Sequence, residues 1–189
     1  MAELLPRSSI VATRFGGETT QSPIIERLTI SGNLLTLYES ALRFVRRYSD
    51  LWEVRPKNFS PAAVEESPIA ARANYHRGAV VEAIVNLLVH RDLALREPPT
   101  RLHIFDHSLE LINPRRTAAF SPVAQKAIRY GVPQRLNPQM GALFSSRAYG
   151  LELNPGGLPM VLRESRLFSN RRTDIVAIND EFRLRMHGA

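Results

Sequence analysis

The chain has 189 residues, of which 44% are hydrophobic and 23% are charged, so its composition is that of a folded globular protein. It contains no cysteine, which excludes disulfides, thiolate zinc sites and a cysteine nucleophile. No run approaches the roughly 20 apolar residues of a membrane span, and the first residues lack the pattern of a signal peptide. We therefore expect a cytoplasmic protein with no membrane partner.

The net charge of +7 comes almost wholly from arginine, because Lys57 and Lys126 are the only lysines. Arginine offers phosphate a bidentate fork, so this charge suits nucleotides or nucleic acid. A GC-rich genome would produce the same arginine bias without any phosphate partner.

Two strands and a helix are predicted in the first 48 residues. Short apolar runs on either side of Gly16-Gly17 predict strands joined by a turn. From Asn33 to Tyr48 the apolar residues recur at helical spacing, which predicts an amphipathic helix. Basic residues on and beyond its other arc could follow a nucleic-acid backbone, although a solvated helix face is the favoured interpretation. They are Arg43, Arg46, Arg47, Arg55 and Lys57.

The middle of the chain predicts an irregular connection, a buried helix and a hairpin. Prolines among polar residues mark 53–72 as irregular. The run from Arg77 to His90 has a broad apolar stripe at helical spacing. Arg101 to Phe105 and Leu109 to Ile112 then predict two strands joined by a short turn.

The rest of the chain predicts two helices and a terminal hairpin. A short helix is expected from Gln139 to Phe144, and a turn over 154–159 precedes a helix from Met160 to Leu167. The segment 174–186 predicts a hairpin that turns at Asn179-Asp180. This order of elements predicts an α+β fold with helices packed on one face of a sheet.

Three polar residues interrupt the apolar helix between Arg77 and His90. Glu82, Asn86 and His90 are spaced four apart, so each step turns only about 40° and all three share one face. Burying them is costly unless each has a hydrogen-bond partner, which a ligand could supply. A glutamate can accept a proton from water, and an asparagine carbonyl oxygen can hold Mg²⁺. The residues could equally lie at the edge of the stripe and contact water.

The segment around these residues resembles a known family. The run from Tyr75 to Asp92, YHRGAVVEAIVNLLVHRD, is similar to the EA(I/V)VNALVHRD signature of the divergent GHKL-type (histidine kinase-like ATPase) domain of RecG-like, Alba-like or Schlafen-like bacterial transcriptional regulators. Later segments resemble the family in order and spacing: LELINP from Leu109, RLNP from Arg135, GGLP from Gly156 and NDEFRLRM from Asn179. The likeness covers roughly Ser31 to the C-terminus.

The resemblance implies a Bergerat-type two-layer sandwich with a mixed sheet. Residues 1–31 would be a remnant of an N-terminal Alba/Schlafen-like domain or an N-terminal arm, and 32–189 the GHKL-like ATP-binding domain. ATP and Mg²⁺ are the implied cofactors of a regulatory domain with slow hydrolysis or none. DNA, reached through an associated domain, and a homodimer are compatible with this assignment. Helicase activity is not expected, because the sequence has no Walker A motif.

Roles for individual residues follow from the same resemblance. Glu82 would be the catalytic base that orients the attacking water, and Asn86 would be the Mg²⁺ ligand. His90 and Arg91 would lie near the phosphates.

Three further residues are implied to contact the nucleotide. Asn113 falls where the family's strand delivers the residue that reads the adenine amino group. Gly156 and Gly157 would form the phosphate-side loop in front of a helix N-terminus.

The sequence departs from the family pattern at three glycine positions, which are occupied by Arg115, Arg116 and Pro155. Arginine and proline do not readily allow the close backbone approach that glycine gives, so weak or lost nucleotide binding is expected. The two arginines could instead contact phosphate themselves. The alternative function is a degenerate domain that binds no nucleotide and acts as an interaction or DNA-associated scaffold.

Overall fold

The computed structural model describes residues 9–55, 72–93, 99–114, 137–146, 157–178 and 180–189. Within these ranges the chain forms eight strands and four helices in an α+β arrangement. The strands are β1 (Ile10–Phe15), β2 (Ile24–Ile30), β3 (Ser49–Trp52), β4 (Ala73–His76), β5 (Thr100–Ile104), β6 (Ser108–Pro114), β7 (Asp174–Ile178) and β8 (Glu181–His187). The helices are α1 (Leu34–Tyr48), α2 (Arg77–Val89), α3 (Pro138–Ser145) and α4 (Gly157–Ser169).

Six strands form the main sheet in the order β2-β1-β5-β6-β8-β7. β1 and β5 pair in parallel, with Ile10 opposite Thr100, and the other neighbours are antiparallel. The sheet is therefore mixed, as expected. Strands on both sides of residue 32 belong to this one sheet.

The predicted hairpins are confirmed. β1 and β2 pair across the turn that contains Gly16-Gly17, and β5 and β6 pair across a turn that begins at Phe105. β7 and β8 form the terminal hairpin, and β8 also pairs with β6, where Met186 lies opposite Leu109. The last strand thus lies in the same sheet as the central hairpin, as the sequence predicts.

One face of the sheet and the helices share a single hydrophobic core. Side chains alternate across a strand, so every second residue points to the same face. The core residues of the sheet are Ile10, Ala12, Ile30, Leu102, Ile104, Leu109, Leu111, Leu184 and Met186. Those from the helices include Tyr38, Val45, Val80, Ile84, Phe144 and Val161. This packing is compatible with a two-layer sandwich.

Helix α1 agrees with its predicted limits. The Asn33 side chain is the N-cap, and its Oδ1 accepts a hydrogen bond from the backbone N–H of Thr36 at 2.9 Å. The last turn carries Arg46 and Arg47, where positive charge is favourable next to the helix C-terminus.

A second, two-stranded sheet was not predicted. β3 and β4 pair in parallel, with Ser49 opposite Ala73. Each strand has only four residues, so neither shows a period that separates it from a loop. The end of the chain connects to this sheet, because the backbone N–H of Ala189 donates to Asn74 O at 3.0 Å.

The turn predicted over 154–159 is partly wrong, because α4 already begins at Gly157. Pro159 lies in the first turn of this helix, where a backbone N–H has no intrahelical partner to lose. The sequence interpretation took this proline as the end of the turn and started the helix at Met160, three residues late.

None of the helices in the described ranges is both long enough and apolar enough to span a membrane.

Candidate functional site

Helix α2 is buried on nearly all sides, which makes its polar residues informative. His76 caps its N-terminus, since His76 Nδ1 accepts a hydrogen bond from the backbone N–H of Ala79 at 3.2 Å. The helix packs against α1, α4 and β6. Its buried residues include Val80, Ala83, Ile84, Leu87 and Leu88.

Glu82 and Asn86 form a hydrogen-bonded pair on this helix. The Asn86 side-chain amide donates to Glu82 Oε1 at 2.9 Å and to the Glu82 backbone carbonyl at 2.9 Å. Both contacts use Asn86 Nδ2, so Oδ1 faces away from Glu82, and no residue in the described ranges donates a hydrogen bond to it. This amide oxygen is thereby held in one orientation.

Glu82 is only 8% exposed. Burial raises the pKa of Glu82 above the usual glutamate value, and the hydrogen bond from Asn86 opposes part of that rise. Glu82 is therefore a stronger proton acceptor than an exposed glutamate.

His90 and Arg91 follow at the C-terminal end of α2. His90 is the C-cap rather than a helical residue, although its backbone N–H still donates to Asn86 O at 3.0 Å. Arg91 is 6% exposed, and its guanidinium donates to Ser9 O at 3.3 Å. Burial lowers the pKa of Arg91.

Asn137 closes the end of α2 and was not identified from the sequence as a site residue. Its side-chain amide donates to the carbonyls of Val89 and Arg91, each at 2.8 Å. These carbonyls have no partner within the helix, so the contact stabilises the turn that carries His90. Asn137 belongs to the RLNP run that resembles the family, but nothing local to this run indicates a contact with another helix.

Asn113 lies at the end of β6 and is 2% exposed. Its Oδ1 accepts a hydrogen bond from Thr100 Oγ1 at 3.0 Å, and its Nδ2 donates to Leu87 O at 2.7 Å. Asn113 therefore connects β6 to β5 and to α2, where its partner Leu87 is the residue next to Asn86. A role in reading adenine stays a prediction.

Gly157 is the first residue of α4 and has a positive φ of 58°, which favours glycine. Gly156 lies outside the described residues, as do Arg115, Arg116 and Pro155.

The structure thus gathers five of the predicted site residues on or beside α2, from its middle to its C-terminal end. They are Glu82, Asn86, His90, Arg91 and Asn113. Gly157 is associated with them only through the packing of α4 against α2. That the side chains of Glu82, Asn86 and His90 open into one cleft stays a prediction.

A protein-only metal site is not found in the part of the chain that the structure describes. No group of three or more His, Asp or Glu side chains there is arranged to hold an ion. Mg²⁺ on Asn86 would take its remaining oxygen ligands from phosphate and water.

Comparison with known proteins gives a fold and no family. No protein-family model matches the sequence, and a search of curated proteins finds no match. Among solved structures the chain is similar to the DIP2311 protein from Corynebacterium diphtheriae, with a TM-score of 0.66 and 18% identity. The alignment covers 98% of this chain and 29% of that one, so the chain spans less than a third of its neighbour's length. At this identity the similarity shows a shared fold alone.

Proposed function

We propose that this chain is a GHKL-like nucleotide-binding domain in which α2 presents Glu82 and Asn86 to Mg²⁺ and ATP. The observation that carries this proposal is the locked amide of Asn86. Because Nδ2 is held by Glu82 at 2.9 Å, the carbonyl oxygen keeps one orientation, as a metal ligand must. The sequence resemblance supplies the identity of the ligand.

Glu82 is the catalytic base of the proposed site. The raised pKa of Glu82 suits proton abstraction from water, and the hydrogen bond from Asn86 keeps the carboxylate beside the metal ligand. Its low exposure leaves little room for water, so we propose slow hydrolysis or none.

We assign the phosphates to residues at the end of α2 and at the start of α4. His90 and Arg91 supply side chains at the C-terminal end of α2. Gly156 and Gly157 supply backbone N–H groups at the start of α4, where an anionic oxygen is favoured.

We further propose that the domain regulates a longer RecG-like transcriptional regulator through nucleotide binding, dimerisation or both. In that setting DNA would be contacted through an associated domain.

The second candidate is a degenerate scaffold that binds no nucleotide. Asn113 favours it, because both polar atoms of its side chain already bond to Thr100 and Leu87 inside the protein. Arg115, Arg116 and Pro155 in place of the family's glycines point the same way.

Thermal melting with ATP, with and without Mg²⁺, tests the two candidates. A ligand that binds only the folded state stabilises it by about 2.7 kcal/mol at a hundredfold excess over Kd. We expect a Kd of about 0.1 to 1 mM, equivalent to about −5 kcal/mol. Asn86→Ala should abolish the Mg²⁺-dependent part of the shift. Asn33→Ala is the matched control, because it removes an asparagine cap from α1 and should leave that part intact.

A double variant separates a weak site from a lost one. Arg115→Gly with Arg116→Gly restores the family's glycines and should tighten ATP binding. If wild type shows no shift and the double variant does, the site is degenerate but recoverable. No response from either protein at millimolar ATP would leave the scaffold as the function.

A further inference from the structure

A basic surface with exposed apolar side chains lies where β3 meets the C-terminal end of α4. We call it the Trp52 surface, and it consists of Trp52, Val54, Arg55, Arg166, Leu167, Arg171 and Arg172. All of these side chains are exposed. None of them belongs to the proposed nucleotide site.

Three contacts connect β3 and the residues after it to the C-terminal end of α4. Arg55 Nη1 donates to Phe168 O at 3.5 Å, which joins the residues after β3 to the last turn of α4. Trp52 pairs with His76 in the β3–β4 register, and the His76 ring lies 6.2 Å from the Phe168 ring, edge to face. Leu167, next to Phe168 in the chain, is 73% exposed.

Trp52 is held in place while remaining 43% exposed. Its indole N–H donates to Asn74 Oδ1 at 2.8 Å, so the ring has one orientation before any partner arrives. Leaving a tryptophan in water forgoes much apolar burial, whereas a fixed ring can stack on a base with little loss of side-chain freedom.

The positive charge of this surface is not neutralised by the described residues. No ion pair to Arg166, Arg171 or Arg172 occurs within the described ranges, in contrast to Arg101 and Arg183 on the sheet, which both contact Glu181. The surface therefore has guanidinium groups free to meet phosphate.

Carboxylates next to this surface are already paired. Glu53 accepts from Arg77 at 2.7 Å, and Glu164 accepts from Arg163 at 2.8 Å. Neither cancels the charge of the arginines on the Trp52 surface.

We propose that the Trp52 surface binds single-stranded nucleic acid, with a base stacked on Trp52 and the backbone phosphates on Arg55, Arg166, Arg171 and Arg172. An oriented aromatic ring within a set of unpaired arginines is the arrangement by which proteins bind single strands without reading their sequence. Paired bases in a duplex do not offer the free face that this ring requires. An anionic membrane would match the charge but gives no reason for a hydrogen bond that fixes the ring.

Intrinsic fluorescence tests the stacking directly, because Trp52 is the only tryptophan in the chain. Titration with oligothymidylate of about 20 nucleotides at about 50 mM salt should quench its emission. Heparin, which carries charge without bases, should compete for the arginines and leave the emission unquenched. The proposal would be overturned if heparin or duplex DNA bound at least as tightly as the oligonucleotide and none of the three quenched the Trp52 emission.

Fluorescence anisotropy of the labelled oligonucleotide tests the residues. Trp52→Ala should weaken binding about tenfold, and Trp52→Phe should recover part of the loss. Arg166→Ala with Arg171→Ala and Arg172→Ala should weaken it by about tenfold or more and lower the salt slope by about 2.

The matched control removes three exposed arginines elsewhere: Arg27→Ala, Arg43→Ala and Arg46→Ala. Binding should stay within about twofold of wild type if only the charges on the Trp52 surface matter. If this control variant instead loses binding, the oligonucleotide binds at α1, and the proposal is overturned. A blue shift of Trp52 with anionic vesicles, without any response to the oligonucleotide, would overturn it in favour of a lipid surface. Asn86→Ala should bind the oligonucleotide as tightly as wild type does. Failure of the proposed oligonucleotide site can therefore be distinguished from failure of the proposed ATP site.

Discussion

The side-chain amide of Asn86 donates to both the carboxylate and the backbone carbonyl of Glu82, each at 2.9 Å. Two neighbouring turns of one helix are thus joined by a contact that fixes an acid and an amide relative to each other. Because burial raises the pKa of Glu82, the folded state also pays to keep this group ionised at neutral pH. The ionised carboxylate therefore lowers the stability of the fold at neutral pH, and the cation that we propose beside it would offset this cost.

Glu82→Gln should stabilise the protein at pH 7. A carboxyl whose folded pKa is raised contributes stability below its unfolded pKa and loses it as pH rises through the folded pKa. Glutamine removes that loss and keeps an oxygen for the Asn86 amide. Urea unfolding at pH 7 should give a higher midpoint for the variant, and the difference should vanish below about pH 4. A lower midpoint at pH 7 would contradict the pKa shift.

Glu110→Gln should have the opposite effect. Burial alone would raise the pKa of Glu110, but the contact with His103, whose Nδ1 lies 3.5 Å from Glu110 Oε2, and the charges of His103, Arg183 and Arg185 outweigh burial and lower the pKa. Stability from such a group is present above the unfolded pKa and is lost as pH falls through the folded pKa. The same urea series should show a lower midpoint at pH 7 and a smaller difference in acid. Equal responses of the two glutamine variants would show that the neighbouring charges do not lower the pKa of Glu110.

Asn113→Ala should destabilise the fold by about 2 to 4 kcal/mol. It leaves Thr100 Oγ1 and Leu87 O without their partner, and each buried unsatisfied group costs about 1 to 3 kcal/mol. Chemical denaturation measures this directly. Thr29→Ala, on the exposed side of β2, is the control and should change stability by less than about 0.5 kcal/mol. A small effect at Asn113 would mean that water replaces both bonds.

Gly188→Ala should destabilise the protein by about 1 to 3 kcal/mol, the range for overpacking. A Cβ at Gly188 would lie 2.9 Å from Ala73 Cβ, and Ala73 is buried in β4. Gly141→Ala in α3 is the matched control, because its Cβ would meet Val89 Cγ1 at an ordinary 3.6 Å. That variant should be stabilised by about 0.5 to 1 kcal/mol through helix propensity. Differential scanning calorimetry on both proteins gives the comparison, and a neutral Gly188→Ala would show that the β4 backbone moves to accept the methyl.

The elements that the sequence predicts correctly are those set by local patterns. α1 has an asparagine cap at Asn33 and a continuous apolar stripe, and the terminal hairpin turns at Asp180, which has a positive φ of 55°. Both signals act within a few residues, so the printed sequence contains them. The four residues of β3 have no such signal, because their parallel partner begins at Ala73.

The same limit applies to the candidate site: contacts set by local spacing could be predicted, and contacts between distant residues could not. Glu82 and Asn86 were identified because helical spacing brings them together. The contact of Asn137 with the end of α2 joins residues almost fifty positions apart and follows from the tertiary fold alone. The hydrogen bonds of Asn113 to Thr100 and Leu87 also follow from the tertiary fold. The structural role of Asn113 could therefore not be predicted, and the resemblance indicated only a role in reading adenine.

The parallel pairing of β1 with β5 joins Ile10 to Thr100 and Arg14 to Ile104. During synthesis the β1–β2 hairpin leaves the ribosome first, and one edge of β1 waits for a partner that is ninety residues away. At about 5 to 20 residues per second this interval lasts roughly 5 to 20 s, long compared with hairpin formation. An unpaired edge with apolar residues such as Ile10 can meet another nascent chain in that time. The rate of translation between β1 and β5 therefore sets how long this edge of the growing chain stays unpaired.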